Sequence, residues 1–340
     1  MMRYFRYELK KNLLTLGLLT AICAIVYVVA TSTSELFYFR EQSAYYPGGI
    51  VVRDSQISVI YVMLGILCFV VPVLMYSFKM SRRGADAFYS LPVKREKLYL
   101  VKTLVGLILV FVPYTVAYVL GVSVICFREN YFDLIWYLPG YFGGIFFGIG
   151  IYALSAFAFA RANRIVDGVI FMVFWHLLGL LLLAAINEAV YRHSGRPGGL
   201  TGETLKAIPA GCFGLFGSKM DSLIRGSGNV TFGAAIFLVP LAYAVAGFAL
   251  LFFLARRDRG EDAEQNSDSW FGYRLMIPLY TALSIALLGD TFLYIYVALI
   301  AVGAIVLTVV YTRKVLFSWK YWLMIGAGIL VGVALNLWVV

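Results

Sequence analysis

The chain has 340 residues, of which 62% are hydrophobic and 14% charged, with a mean hydropathy of +0.86 and a formal net charge of +10. A soluble domain carries roughly 45–50% apolar and about 25% charged residues, so the surplus apolar surface requires lipid and excludes a water-soluble fold. The 28 Lys and Arg residues fall in short clusters between apolar runs, not along one soluble face, which points to membrane orientation and away from nucleic acid.

The first residues, MMRYFRYELKKNLL, are amphipathic, with Tyr4, Phe5 and Leu9 opposed by Arg6 and Lys10. No small-residue cleavage site follows Val29, so the first apolar run is expected to be retained as a span. A helix needs around 20 apolar residues to cross a hydrocarbon core of about 30 Å. On that criterion the sequence predicts about nine spans: Asn12 to Ala30, Ile57 to Phe78, Tyr99 to Cys126, Trp136 to Ala160, Gly168 to Glu188, Phe232 to Ala255, Leu275 to Leu288, Thr291 to Tyr311 and Trp322 to Val340. The seventh is short and reads as the tilted half of a tight hairpin. The expected fold is an all-α polytopic transmembrane bundle.

Orientation follows from the basic residues. With the N-terminus inside, 20 of the 28 Lys and Arg residues lie on the inner side, as short cytoplasmic loops require. A plasma-membrane protein with a cytoplasmic N-terminus is expected. The outer loop from Thr31 to Gln56 reads as solvated, and the long outer loop from Tyr191 to Thr231 mixes Gly, Pro and Ser with apolar stretches such as Gly211 to Phe216. Either can cap the outer mouth of a path. The inner segment RRDRGEDAEQNSDS, Arg256 to Ser269, reads as a hinge or linker. It divides the chain into a six-span core (1–255), a charged cytosolic linker (256–274) and a C-terminal extension of about three spans (275–340).

Inside the spans, Gly140, Gly144 and Gly148 recur every four residues and line one helix face, suited to close packing within the subunit or to a dimer seam. His176 is expected to make an interhelical hydrogen bond. Pro72, Pro113, Pro139 and Pro240 are candidate kinks. Cys126 and Cys212 both fall at outer span ends, where a disulfide between them is conceivable; Cys23 and Cys68 act as small hydrophobes.

The most informative stretch is KMSRRGADAFYSLPVKREKLYLVK, Lys79 to Lys102, too polar for lipid and too rich in helix formers for a plain turn. Two short helices joined at Ser90, Leu91 and Pro92 are predicted, because Pro suits the first turn of a helix and disfavours helical geometry before it. Asp86 is spaced to pair with Arg82 or Arg83. Phe88, Tyr89 and Leu91 remain as apolar groups. A rigid cytosolic helix of this kind serves either to pass force from a soluble motor or simply to lie on the headgroups.

The run SRRGADAFYSLPVKREKLYLVKTLVG, Ser81 to Gly106, resembles the cytosolic loop of ABC-2 type transporter permeases, the membrane subunits of ATP-driven exporters. The matching positions are Arg82, Arg83, Asp86, Ser90, Leu91, Pro92, Lys94 and Arg95. The amphipathic N-terminus is similar to that family's membrane-surface elbow helix, and RRDRGEDAE to the charged run after its sixth span. The resemblance covers about residues 1 to 275 and implies a six-span core, a separate ATPase subunit bound through Asp86 to Arg95, and a second permease copy or homologue. Three further C-terminal spans depart from it.

The chain contains no phosphate-cradling G-x-x-x-x-G-K-[ST] loop, so ATP and Mg are expected on the partner subunit and no cofactor on this one. Neither His176 nor His193 has partners at metal-ligand or triad spacing, and no catalytic or metal-binding residue is assigned. The competing readings are an ion-coupled secondary transporter, which usually shows intramembrane carboxylates and inverted repeats, and a non-transporting membrane sensor or structural subunit.

Overall fold

The computed structural model describes residues 2–33, 37–39, 50–52, 56–91, 93–128, 134–194, 205–224, 232–256, 258, 260–267, 269–288, 293–314 and 319–339. A long apolar run has no water to satisfy its backbone in lipid, so it closes its own N–H and C=O groups as a helix. The helices are α1 (Met2–Lys11), α2 (Leu13–Thr33), α3 (Ile57–Tyr76), α4 (Arg82–Tyr89), α5 (Arg95–Arg128), α6 (Leu134–Ala160), α7 (Ile165–Ser194), α8 (Pro209–Ile224), α9 (Ala234–Ala255), α10 (Tyr273–Ala286), α11 (Leu293–Thr312) and α12 (Trp319–Val339). A 3₁₀ turn, Ser77–Met80, joins α3 to α4.

Eight of the described helices are long and apolar enough to cross a bilayer: α2, α3 with its 3₁₀ turn, α5, α6, α7, α9, α11 and α12. The predicted seventh span differs. Its helix α10 has 14 residues, about 21 Å of rise against a core of about 30 Å. Nine expected spans thus become eight full-length helices and one short one. Two of the loops between spans hold more order than the sequence suggests. Between α2 and α3, strands β1 (Phe37–Phe39) and β2 (Ile50–Val52) pair antiparallel with Tyr38 opposite Val51. Between α7 and α9, α8 buries Cys212, Phe213, Phe216, Met220 and Ile224.

The chain forms two compact units that interleave along the sequence: Met1–Met75, Val93–Ala153 and Pro209–Arg256 in one, and Tyr76–Pro92, Leu154–Ile208 and Arg257–Val340 in the other. The linear division predicted at 255 and 274 follows chain order, whereas these units follow packing.

In the first unit the contacts fix helix direction. Glu8 meets Lys102 and Tyr27 lies flat on Gly121, where a Cβ would fall 2.2 Å from the ring; equal steps along both chains mean that α2 and α5 run parallel. Tyr118 Oη donates to Tyr137 O at 2.6 Å and Tyr114 Oη to Tyr141 O at 3.3 Å, so α6 runs opposite to α5. Tyr61 Oη donates to Gly140 O at 3.0 Å and Cys68 Sγ to Gly148 O at 3.4 Å, which sets α3 parallel to α6. The three glycines read from sequence receive side chains of the same unit: Tyr61 and Ile57 against Gly140, Tyr114 against Gly144, Phe111 and Leu64 against Gly148. Phe213 and Phe216 of α8 stack on Phe147. Alternating direction is what successive crossings of one membrane require.

In the second unit Asp167 at the start of α7 binds Tyr273 at the start of α10 and Arg313 just after α11, and Tyr311 packs on Tyr321 at the start of α12. At the far end, Asn336 Nδ2 of α12 donates to Ile285 O at 3.0 Å and Leu288 O at 2.9 Å. Thus α7, α10 and α12 run in one direction and α11 in the other, with α12 packed directly on α10 through Gly328 and Gly332. A short helix ending beside apolar neighbours has few donors for its last carbonyls; Asn336 donates to Leu288 O and adds a second donor to Ile285 O, which also accepts from Leu288 N. Replacing Asn336 by Leu keeps the size but removes those donors, at a cost of about 1–3 kcal/mol. Thermal unfolding in detergent measures this; an unchanged midpoint would remove Asn336 from its capping role.

Candidate functional site

The sequence-predicted loop begins at the 3₁₀ turn. Ser81 caps α4, its Oγ accepting from Gly84 N at 3.2 Å, the usual way to satisfy a first-turn N–H. A Cβ on Gly84 would stand 2.3 Å from Phe78 O, so only glycine lets α4 start against the turn's backbone. Phe88 packs on Phe78 with ring centroids 4.7 Å apart and Tyr89 on the same ring at 6.2 Å. Ala85 is buried beneath the helix. The opposite face, Arg83, Asp86, Ala87 and Ser90, is exposed, and Leu91 follows at its end.

Two acids hold this loop within the second unit, and a third, Asp167, fixes the segment behind it. Asp258 is buried with Arg161 at 3.1 Å and Lys79 at 3.5 Å, and Lys79 Nζ also donates to Ala160 O. Glu264 accepts from Arg82 N at 3.3 Å and pairs with Arg82 Nε at 3.6 Å. Its carbonyl accepts from Arg164 Nε at 2.9 Å and its N–H donates to Asn163 O at 3.2 Å. These bonds keep Glu264 at φ +65°, a left-handed conformation that costs a side-chain-bearing residue roughly 1–2 kcal/mol. Asp167 accepts from Ser267 Oγ at 2.7 Å and Tyr273 Oη at 2.9 Å, with Arg313 at 3.5 Å.

The segment read as a hinge or linker is therefore bonded at several of its described residues. Asp258, Glu264, Asn266, Ser267 and Phe271 all engage the α6–α7 turn, the 3₁₀ turn or α7 itself.

Arg82 turns to Glu264, and among the described residues Asp86 forms no ion pair with Arg82 or Arg83; the expected i, i+4 pairing is corrected. The acid four residues along is exposed to water, whereas Glu264 also accepts a backbone N–H, which makes it the better partner. Phe88 packs on Phe78 within the chain and is half-buried. Lys94 and Arg95 open α5 in the first unit, where Arg256 Nε meets Glu96 Oε1 at 2.7 Å. Pro92 lies outside the described residues. None of the four cysteines is in a disulfide, so the conceivable Cys126 to Cys212 bridge is not formed. His176 bonds Met172 O at 2.8 Å and reaches Ser155 of α6 at 3.5 Å.

Sequence reasoning passed over Glu8. It is fully buried, with Lys102 at 3.2 Å and the Tyr4 hydroxyl donating at 3.1 Å; burial and then that carboxylate raise the Tyr4 pKa. The available signal was one acid on the apolar side of an otherwise basic helix. Asp258 and Glu264 carried no comparable signal, because their partners lie about 100 or more residues away.

Among the described residues no three His, Cys, Asp or Glu side chains gather as a metal site. No protein-family model matches the sequence, and no curated protein matches it. The apolar helices and their packing define a multi-pass helical membrane protein.

Removing Asp258 leaves two buried cations facing each other. Asp258→Ala should cost about 3–5 kcal/mol, the range for breaking a buried pair from one side. Asp86→Ala should stay within about 0.5 kcal/mol, as an exposed position without a partner does. Denaturation of both variants in detergent compares them directly; equal stability would contradict the assignment of Asp258 as the anchor.

Proposed function

We propose that the chain is the membrane subunit of an ATP-driven exporter of the ABC-2 permease type, with α4 receiving a separate ATPase subunit. The observation that carries this reading is an eight-residue helix with its own cap, fixed by Gly84 and Glu264, whose opposite face is exposed. A helix that merely rests on headgroups needs no such bracing. The Ser90-Leu91-Pro92 run and its flanking basic residues support the same reading through their resemblance to that family.

Orientation is part of the proposal. The end of the second unit that holds α4 also gathers Lys79, Arg82, Arg83, Arg161, Arg164, Arg274, Arg313 and Lys320, and basic ends face the cytoplasm. Trp270, Trp319 and Trp322 are exposed at this end, as interfacial anchors are. The N-terminus is then cytoplasmic in the plasma membrane. ATP and Mg belong to the partner, and a second permease copy or homologue completes the transporter. Against a secondary transporter, the buried acids Glu8, Asp167 and Asp258 each lie near a helix end with a basic partner.

The docking face is Arg83, Asp86, Ala87 and Ser90 with Leu91, spaced i, i+3, i+4 and i+7 along one side of α4. Ala87→Trp places bulk at its centre without touching Phe78 or Glu264. Retention of the ATPase on the purified complex should fall about tenfold or more, a loss of about 1.4 kcal/mol, while the variant's own melting midpoint stays put. Full retention with full transport-coupled hydrolysis rules out α4 as the coupling helix. In a Cys126→Ser background, which removes the exposed native thiol, impermeant thiol labelling of intact cells at Arg83→Cys and Gln265→Cys should give no signal; labelling there reverses the orientation.

A further inference from the structure

Where α1 crosses α5, Met2 and Phe5 face Val101 and Leu104 across an apolar groove of about 330 Å³, within the size of small-molecule sites. We infer that this groove holds one acyl chain of an anionic phospholipid whose phosphate is bound by Arg3 and Arg6, with Lys10 on the same stripe. The inference stands apart from the exporter reading, since it needs only a membrane.

Helical spacing sets the two halves of the site side by side. Met2, Phe5 and Leu9 recur at i, i+3 and i+7, and Arg3, Arg6 and Lys10 repeat that spacing one residue on, about 100° around the helix. A chain lying on the first stripe therefore brings its headgroup to the second. Arg3, Arg6 and Lys10 are exposed, while Met2 and Leu104 leave the groove open to the surroundings.

Charge selects the occupant. The only acid in α1 is Glu8, and it is withdrawn from the surface: fully buried, paired with Lys102 at 3.2 Å, bonded by Tyr4 at 3.1 Å, and approached by Asn12 Nδ2 at 3.5 Å. The headgroup side of α1 is thereby wholly cationic. A zwitterionic lipid brings its own cation to that surface and gains little. An anionic one gains about 1 kcal/mol, or roughly fivefold in affinity, for each basic residue. The Glu8 to Lys102 pair also fixes α1 on α5, so the groove is formed before lipid arrives.

Native mass spectrometry of the detergent-purified full chain, titrated with dioleoyl phosphatidylglycerol or dioleoyl phosphatidylcholine, tests this. The wild type should retain the glycerol lipid preferentially, and R3Q/R6Q should lower its affinity about 25-fold with little change for the choline lipid. Leu104→Trp, which fills the groove, should weaken both lipids alike. The water-soluble deacylated headgroup, glycerophosphoglycerol, should not compete, and this arm uses wild-type protein should the variants fail to fold. Equal retention of both lipids by the wild type, unchanged binding in R3Q/R6Q, or full competition by the soluble headgroup overturns the site.

Discussion

The carboxylate of Asp258 lies between two buried cations, and much of the basic end of the second unit depends on that arrangement. Lys79 lies in the 3₁₀ turn that launches α4, and Arg161 follows directly on α6; neither can be left buried without a counter-charge, because an isolated ion in low dielectric costs several kcal/mol. By answering both, Asp258 brings the stretch after α9 against the α3–α4 junction. Glu264 and Ser267 then follow at positions where Arg82, Asn163 and Asp167 await them. A segment whose composition suggests disorder is ordered by the need to neutralise charges at helix ends.

The same constraint recurs at α1. Glu8 and Lys102 are each expensive to bury alone, yet together they tie an amphipathic helix to the first turns of α5. Membrane proteins have little hydrophobic driving force between helices, since lipid is as apolar as a side chain. Polar contacts at the ends, and small residues that allow close approach in the middle, carry that task instead. Gly121 beneath Tyr27 and Gly144 beneath Tyr114 are the middle of this scheme; Asp258, Asp167 and Glu8 are its ends.

For function, the consequence is that α4 moves with what holds it. It is bonded to Glu264 of its own unit, which in turn engages Asn163 and Arg164 of the α6–α7 turn, and that unit also contains α10, α11 and α12. In the exporter reading, the C-terminal helices that the six-span pattern leaves over become part of the body that receives the push on α4. That gives them a mechanical role instead of a decorative one.

Apolar length and spacing alone determined the helices long enough to cross a membrane, since lipid leaves a long apolar run no other conformation; basic residues alone suggested their orientation, and the Ser-Leu-Pro run marked the end of α4, although the second short helix expected after it is the start of the long α5. The amphipathic α1 was legible as well. Tertiary structure alone decided who pairs with whom: Arg82 with Glu264 and not Asp86, Phe88 inward on Phe78, Asn336 over the end of α10, and the interleaving of the two units. The physical reason is range. Helix formation is set by neighbours within a few residues, whereas a buried charge takes whichever partner the folded chain brings near, and for Arg161 that partner is 97 residues away.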